Sequence, residues 1–286
     1  MRGKIYKGIG GFYYVSTESG DVIECKARGK FRKEHIVPII GDEVEIDIKN
    51  GKGTIAEIYP RKNSLIRPAV ANIDTIIIVV AAMSPDPAPF VIDKMLVNAE
   101  INGIEAIVCI NKTDLSDGNE IKAIYEKAGY KTISGSGENK SGLNELLDII
   151  KGKTTAFAGV SGVGKSTILS HIVGSELETG DVSDKISRGR HTTRHVELFK
   201  LDDGGYVLDT PGFSSVETEN ISAEELDECF PEIYKAKNGC RFRTCAHIDE
   251  PECSVKSEVI AGVIPATRYE SYKELYEILR GKKSWK

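Results

Sequence analysis

The run Gly159-Val-Ser-Gly-Val-Gly-Lys-Ser-Thr167 follows an apolar stretch at 154–158 and precedes a helical pattern at 167–173. Strand, Gly-x-x-x-x-Gly-Lys-Ser loop and helix in that order make a phosphate-binding loop, and with it an α/β nucleotide-binding core. Glycines at 159, 162 and 164 let the backbone close around an anion. The amides of Gly159, Val160, Ser161, Gly162, Val163 and Gly164, with the positive helix start at Thr167, are then expected to face the α- and β-phosphates. Lys165 is expected to reach the β- and γ-phosphates and the Ser166 hydroxyl to ligate magnesium. A ligand-free turn would use the same glycines but has no need of the Lys-Ser pair.

Apolar runs at 75–82 and 104–110 read as buried parallel strands, with a helix at 89–102 crossing between them. Asn111-Lys-Thr-Asp114 follows the second run directly. The Asp114 carboxylate can accept from both N1–H and the N2 amine of guanine, a pairing that adenine cannot satisfy. A mismatch there leaves a buried charge unpaired, at a cost of roughly 2–5 kcal/mol. Asn111 can tie this turn to the phosphate loop, and the Lys112 stem can cover the base plane, with Thr113 between them. After a helix at 120–128 comes Tyr130-Lys-Thr-Ile-Ser-Gly135, whose Ser134 and Gly135 amides are expected to meet the guanine O6. The Ser-Gly pair reads equally well as an ordinary turn. A helix at 143–150 leads back to the phosphate-loop strand.

Residues 180–194 are polar without a clear period and hold Arg188-Gly-Arg-His-Thr-Thr-Arg194. A nucleotide-sensing switch needs such a segment: one hydroxyl, Thr192 or Thr193, with Thr193 taken as the candidate, binds magnesium only while the γ-phosphate is present. A solvated basic loop has the same composition. The strand at 206–208 delivers Asp209-Thr-Pro-Gly212, where Asp209 is expected to hold magnesium, often through water, and the Gly212 amide to face the γ-phosphate.

At 286 residues the chain exceeds one ordinary core. Hydrophobic content of 40% and charged content of 28% describe a soluble globular protein. The net charge of −5 does not announce a nucleic-acid binder, yet residues 1–67 carry 13 Lys plus Arg against 9 Asp plus Glu, or +4. Strand-like runs at 5–17, 22–27, 42–48 and 54–59 suggest a small β-barrel of the oligonucleotide-binding (OB) type. Its basic loop Arg28-Gly-Lys-Phe-Arg-Lys33 can follow a phosphate backbone while Phe31, Tyr13 or Tyr14 stack on bases; a solvated loop with core aromatics is the plainer alternative. No apolar N-terminal segment follows Met1, and the most hydrophobic run, 76–83, is too short to span a bilayer, so a cytoplasmic monomer without a membrane partner is expected. Near the other end Cys240, Cys245, His247 and Cys253 offer three thiolates and an imidazole within 14 residues, a donor set for one structural zinc ion. Cys25, Cys109 and Cys229 read as packed residues. Helical patterns at 226–233 and 268–280 place Tyr269, Tyr272, Tyr276 and Leu279 on an apolar face.

In ordinary small GTPases the phosphate loop comes first and the Asn-Lys-x-Asp motif last. Here the run from Asn111 to Asp114 comes first and the run from Asp209 to Gly212 last. On these motifs, the Gly-Arg-His-Thr-Thr run at 189–193 and the terminal cysteine cluster, the chain resembles the RsgA family of circularly permuted ribosome-assembly GTPases along nearly its whole length. The resemblance implies an OB-type β-barrel at 1–67 with RNA contact, a circularly permuted α/β P-loop GTPase domain at 68–219 and a mostly helical zinc-binding domain at 220–286. It also implies GTP hydrolysis in late 30S biogenesis, with the small ribosomal subunit and its 16S rRNA as partners. Phe213 stands where many GTPases place a water-orienting Gln, so intrinsic hydrolysis is expected to be slow and to need the partner, His191 or His195. An RNA-binding module that senses guanine nucleotide with little turnover is the alternative. A kinase or ATPase is disfavoured by the Asn111 to Asp114 motif.

Overall fold

The computed structural model describes residues 1–49, 51–174, 197–202, 204–210, 213 and 221–282. Strands β1 (Arg2–Ile9), β2 (Phe12–Thr17), β3 (Val22–Ala27), β4 (Glu43–Lys49) and β5 (Lys52–Ile58) close as β1-β2-β3-β5-β4. With α1 (Gly29–Lys33) between β3 and β4, this is the expected OB-type barrel. The run at 5–17 divides into β1 and β2, Ile9 pairing with Phe12 across Gly10 and Gly11. Ile5, Val15, Cys25, Val44, Ile46 and Ile55 fill the barrel.

Phe31 corrects one expectation. The basic stretch at 28–33 is no open loop: α1 turns the Phe31 ring into the barrel core, where it is 4% exposed. Burying a phenyl ring contributes about 1.5–3 kcal/mol, more than exposing it for an absent partner can match, so Phe31 is withdrawn as a base-stacking residue. Tyr13 packs partly against the same core, and the Tyr14 hydroxyl donates to Glu24 at 3.2 Å.

After a short hairpin of β6 (Ser64–Ile66) and β7 (Ala69–Ala71) come β8 (Thr75–Ala81), β9 (Glu105–Asn111), β10 (Lys131–Ser134), β11 (Thr154–Ala158), β12 (Phe199–Lys200) and β13 (Tyr206–Asp209). They form a six-stranded sheet in the order β10-β9-β8-β11-β13-β12. Both β8 and β11 are buried along their whole length, which is why each, after its opening threonines, carries only apolar residues. Helices α2 (Pro89–Ile101), α3 (Asn119–Lys127), α4 (Leu143–Ile150) and α5 (Lys165–Val173) connect the strands. The chain forms two compact units, Met1–Ile76 with Leu146–Phe157 and Lys165–Gly212, and Ile77–Glu145 with Ala158–Gly164 and Phe213–Lys286.

Past residue 220 the chain is helical: a 3-10 turn (Ala223–Cys229), α6 (Pro231–Ala236), α7 (Ser254–Ile260) and α8 (Ala266–Lys282). The single helix expected at 226–233 breaks at Phe230 (φ −122°, ψ 92°), because Pro231 disfavours helical backbone in the residue before it and instead opens α6. Leu226, Phe230, Ile233, Tyr272 and Leu275 pack together with Val97 of α2. Through the middle of this cluster runs a wholly buried cation. Arg268 Nη1 donates to Asp93 Oδ1 at 2.7 Å, and its Nε and Nη2 donate to the two Glu232 oxygens at 2.7 and 3.2 Å. The guanidinium also lies over the Phe230 ring, 4.5 Å from its centroid.

Arg268→Ala leaves two carboxylates buried opposite nothing, and is expected to lower the unfolding free energy by about 3–5 kcal/mol. A denaturant titration reads this directly; a change within about 0.5 kcal/mol would mean that the clamp is not holding α2, α6 and α8 together.

Candidate functional site

The phosphate loop leaves buried β11 at Ala158 and enters α5 at Lys165. Two of its glycines are fixed by space as well as by φ. A Cβ on Gly159 (φ 145°) would sit 2.4 Å from the Val79 carbonyl oxygen, and one on Gly164 (φ 95°) would sit 2.2 Å from Asn111 Nδ2. Asn111 is buried, and its carboxamide works at both ends: Nδ2 donates to Val163 O at 2.8 Å, while Oδ1 accepts from the Gly137 amide at 2.8 Å. One side chain therefore holds the phosphate loop and the loop after β10 together, the tie expected of it. Lys112 follows with left-handed backbone (φ 62°), and its ammonium donates to Ser84 O. At the start of α5, Lys165 is half-buried, and Ser166 and Thr167 are exposed.

At the guanine end the Gly135 amide donates to Ile110 O at 2.9 Å, and Ser134, the last residue of β10, keeps register with Ile110. Beyond the strand end, the buried Ser136 hydroxyl donates to Asp114 Oδ1, and the Gly137 amide holds Asn111. A carboxylate accepts several hydrogen bonds, so this contact orients exposed Asp114 without exhausting it. Ser-Gly occurs twice running, at 134–135 and 136–137, and it is the second pair, past the end of β10, that touches Asp114 and Asn111.

Asp209 ends β13 in register with Phe157 of β11, two residues before the phosphate loop, and the Thr210 amide and hydroxyl both donate to Phe157 O at 3.0 and 2.9 Å. Phe213 is buried. Gly212, Thr192, Thr193, His191 and His195 lie outside the described residues.

The four C-terminal donors come together as their spacing implies. Their ligand atoms lie within 4.8 Å of one another. A tetrahedral zinc ion with bonds of about 2.3 Å to sulfur and about 2.0–2.1 Å to nitrogen requires S–S and S–N separations of about 3.8 and 3.5 Å. Cys240 Sγ lies 3.8 Å from Cys253 Sγ, and His247 Nδ1 lies 3.5 Å from each of them. Nδ1 is thus the ligand atom that fits. The other ring nitrogen, buried Nε2, has no hydrogen bond and lies 3.7 Å from Asp227 Oδ2, which also takes Lys237 at 3.0 Å. Burial opposes the charge on Asp227, but His247 and Lys237 beside it more than offset that and hold its carboxyl below the usual range. The α8 tyrosines are core residues, as expected, with a second use: the Tyr269 and Tyr272 hydroxyls donate to the carbonyls of His247 and Ala246 at 2.6 and 2.9 Å. Cys25, Cys109 and Cys229 are packed, and burial raises their thiols to about 11, 12 and 12.

Ser136→Ala removes a hydrogen bond to a charged group and is expected to weaken GTP and GDP binding about 10-fold in a fluorescent-nucleotide titration. Affinity equal to wild type would take Ser136 out of the site. Asp227→Ala is expected to weaken zinc retention against a chelator about 10–100-fold, with Asp227→Asn recovering part of it. Identical release from all three proteins would mean that Asp227 does nothing for the metal.

Known proteins match this arrangement along its length. The RsgA GTPase family profile covers residues 58–219, and the RsgA N-terminal domain profile covers residues 2–55. A protein named small ribosomal subunit biogenesis GTPase RsgA from Caldanaerobacter subterraneus subsp. tengcongensis is 48% identical over 99% of this chain and 97% of its own. One of the same name from Alkaliphilus metalliredigens is 47% identical over 96% of each. Among solved structures, YloQ, described as a circularly permuted GTPase, superposes with a TM-score of 0.83 at 38% identity over 98% of this chain and 95% of its own. YjeQ from Thermotoga maritima superposes with a TM-score of 0.84 at 38% identity over 98% of both chains. With two nucleotide loops tied by Asn111 and motifs in permuted order, the chain belongs to the RsgA family of circularly permuted GTPases.

Proposed function

We propose that this GTPase couples its nucleotide state to binding and release of the small ribosomal subunit late in assembly, acting in the cytoplasm as a monomer on the subunit and its 16S rRNA. The observation that carries the reading is the Asn111 carboxamide joining the phosphate loop to the loop that orients Asp114. That joint supports reading Asp114 as a guanine acceptor and the Gly-rich loop as a phosphate cradle of one site, and relatives matching nearly the whole chain are named small ribosomal subunit biogenesis GTPases.

In this reading Asp114, set by Ser136, selects guanine, and the loop amides with Lys165 hold the phosphates. Ser166, Asp209 and Thr192 or Thr193 would hold magnesium, which supplies charge neutralisation across the β- and γ-oxygens. The Gly212 amide faces the γ-phosphate, and His191 or His195 serves the attacking water. Buried Phe213 brings no polar group to that water, so turnover is slow until the subunit is bound. Residues 1–67 contact RNA, 68–219 form the GTPase, and 220–286 form the domain built around one structural zinc ion. No described helix is long and apolar enough to cross a membrane.

GTP turnover measured with and without purified small ribosomal subunits tests this, with Lys165→Ala as the blank. Stimulation of about 10-fold or more that vanishes in the variant is the expected result, a modest share of what partner-assisted GTPases gain. Binding without stimulation would favour a guanine-nucleotide sensor with little turnover, and absence of binding would remove the subunit as partner.

A further inference from the structure

We propose that the first barrel strand positions the strand pair that ends at Asp209, with Lys7 and Glu197 as positioning residues for GTP hydrolysis. The barrel carries a defect in this strand. The β1–β2 register shifts between Ile5 and Lys7: Ile5 faces Val15, while Lys7 faces Tyr14. Tyr6 therefore drops out of the ladder, and its carbonyl accepts from the Leu198 amide at 2.9 Å. One residue on, Lys7 forms an isolated antiparallel bridge with Glu197, and its ammonium reaches both Glu197 oxygens at 2.9 Å. Bulges re-aim strand groups in this way, and they recur beside active sites.

The same strand grips the sheet at a second place. Lys4 Nζ donates to the Thr154 hydroxyl at 2.8 Å, at the start of the strand that leads to the phosphate loop. It also sits 5.3 Å from the centroid of the Tyr206 ring, at the start of β13. Contacts from Lys4, Tyr6 and Lys7 thus run along β1 and reach β11, β13 and the residues just before β12.

What they hold is chemically significant. From Leu198, itself buried, the chain passes into β12, which pairs through Phe199 and Lys200 with Val207 and Tyr206 of β13. Two residues past Val207 stands Asp209. Displacement of β1 must therefore either pull this ladder or break the Tyr6 and Lys7 contacts, so a load on the barrel is felt where hydrolysis is set up. This rests on the reading of Asp209 as a magnesium-holding residue.

Half-exposed ion pairs contribute little to global stability, so this one can be reversed without unfolding the chain. The experiment compares full-length wild type, Lys7→Glu, Glu197→Lys and the double reversal. Steady-state GTP turnover is read with and without small ribosomal subunits, beside the thermal midpoint. Each single variant is expected to lower kcat about 3- to 10-fold with KM for GTP and Tm unchanged, and the double reversal to return kcat to within about 2-fold of wild type. Single variants at wild-type turnover, or a double variant slower than either single, would overturn the proposal. Wild type unstimulated by subunits while the single variants remain slow would remove the partner reading and leave the positioning role supported.

Discussion

Three runs of chain meet on the Asn111 carboxamide, and the nucleotide end cannot be assembled without it. Val163 presents a carbonyl and Gly137 an amide, so the group between them must donate on one side and accept on the other. An Asp of the same shape would set a carboxylate against the Val163 carbonyl, and an aliphatic residue would break both hydrogen bonds, the one to Val163 being buried. The tie also explains Gly164, whose missing Cβ is the space that Nδ2 occupies. Phosphate-loop shape and base-loop position are in this sense one constraint, and Asp114 inherits it through Ser136.

The helical C-terminal region is organised by two polar centres with opposite requirements. Arg268 is satisfied within the protein: a planar fork meets two carboxylates and a ring face, which a lysine could not do with the same geometry. The cysteine cluster calls for something more: two of its sulfurs and the imidazole lie 3.5–3.8 Å apart, with the third sulfur's ligand atom within 4.8 Å, a donor set and spacing that suit a cation. Both centres fasten the same helix. Arg268 opens the face of α8 whose Tyr269 and Tyr272 hydroxyls then hold the carbonyls of the metal loop. A closed ion cluster and a candidate metal site thus bear on one helix.

What could be read from the sequence was whatever is local in it. The phosphate loop, Asn111 to Asp114 and the cysteine spacing each carry their chemistry within a few consecutive residues, so their meaning survives without coordinates. Arg268 was illegible because its partners stand 175 and 36 residues away, and a single Arg in an amphipathic helix normally points to solvent. The Ser136 contact with Asp114 was illegible because its partner stands 22 residues away and nothing local separates one Ser-Gly pair from the next. Phe31 looked like an aromatic in a basic loop; a five-residue helix, too short to show a period, turned it inward. The bulge at Tyr6 leaves no mark in the alternation of β1, since only a second strand defines a register.

Backbone strain marks the same places. Among the non-glycine residues with left-handed backbone are Ser84 (φ 53°), Lys112 (φ 62°) and His247 (φ 62°). Each such residue costs on the order of 1–3 kcal/mol and persists only where its surroundings overrule the preference. Lys112 comes directly after Asn111, so the left-handed turn lets the chain leave β9 while the Asn111 side chain keeps its two partners; Ser84 accepts the Lys112 ammonium. His247 bends the metal loop so that Nδ1 faces the sulfurs while its carbonyl turns to Tyr269. A helix or strand at either point would carry its side chain past the site. At Lys112 and His247 the chain leaves its easy conformation beside or at a residue that serves two partners at once, Asn111 in the first case and His247 itself in the second, and those bonds offset the cost.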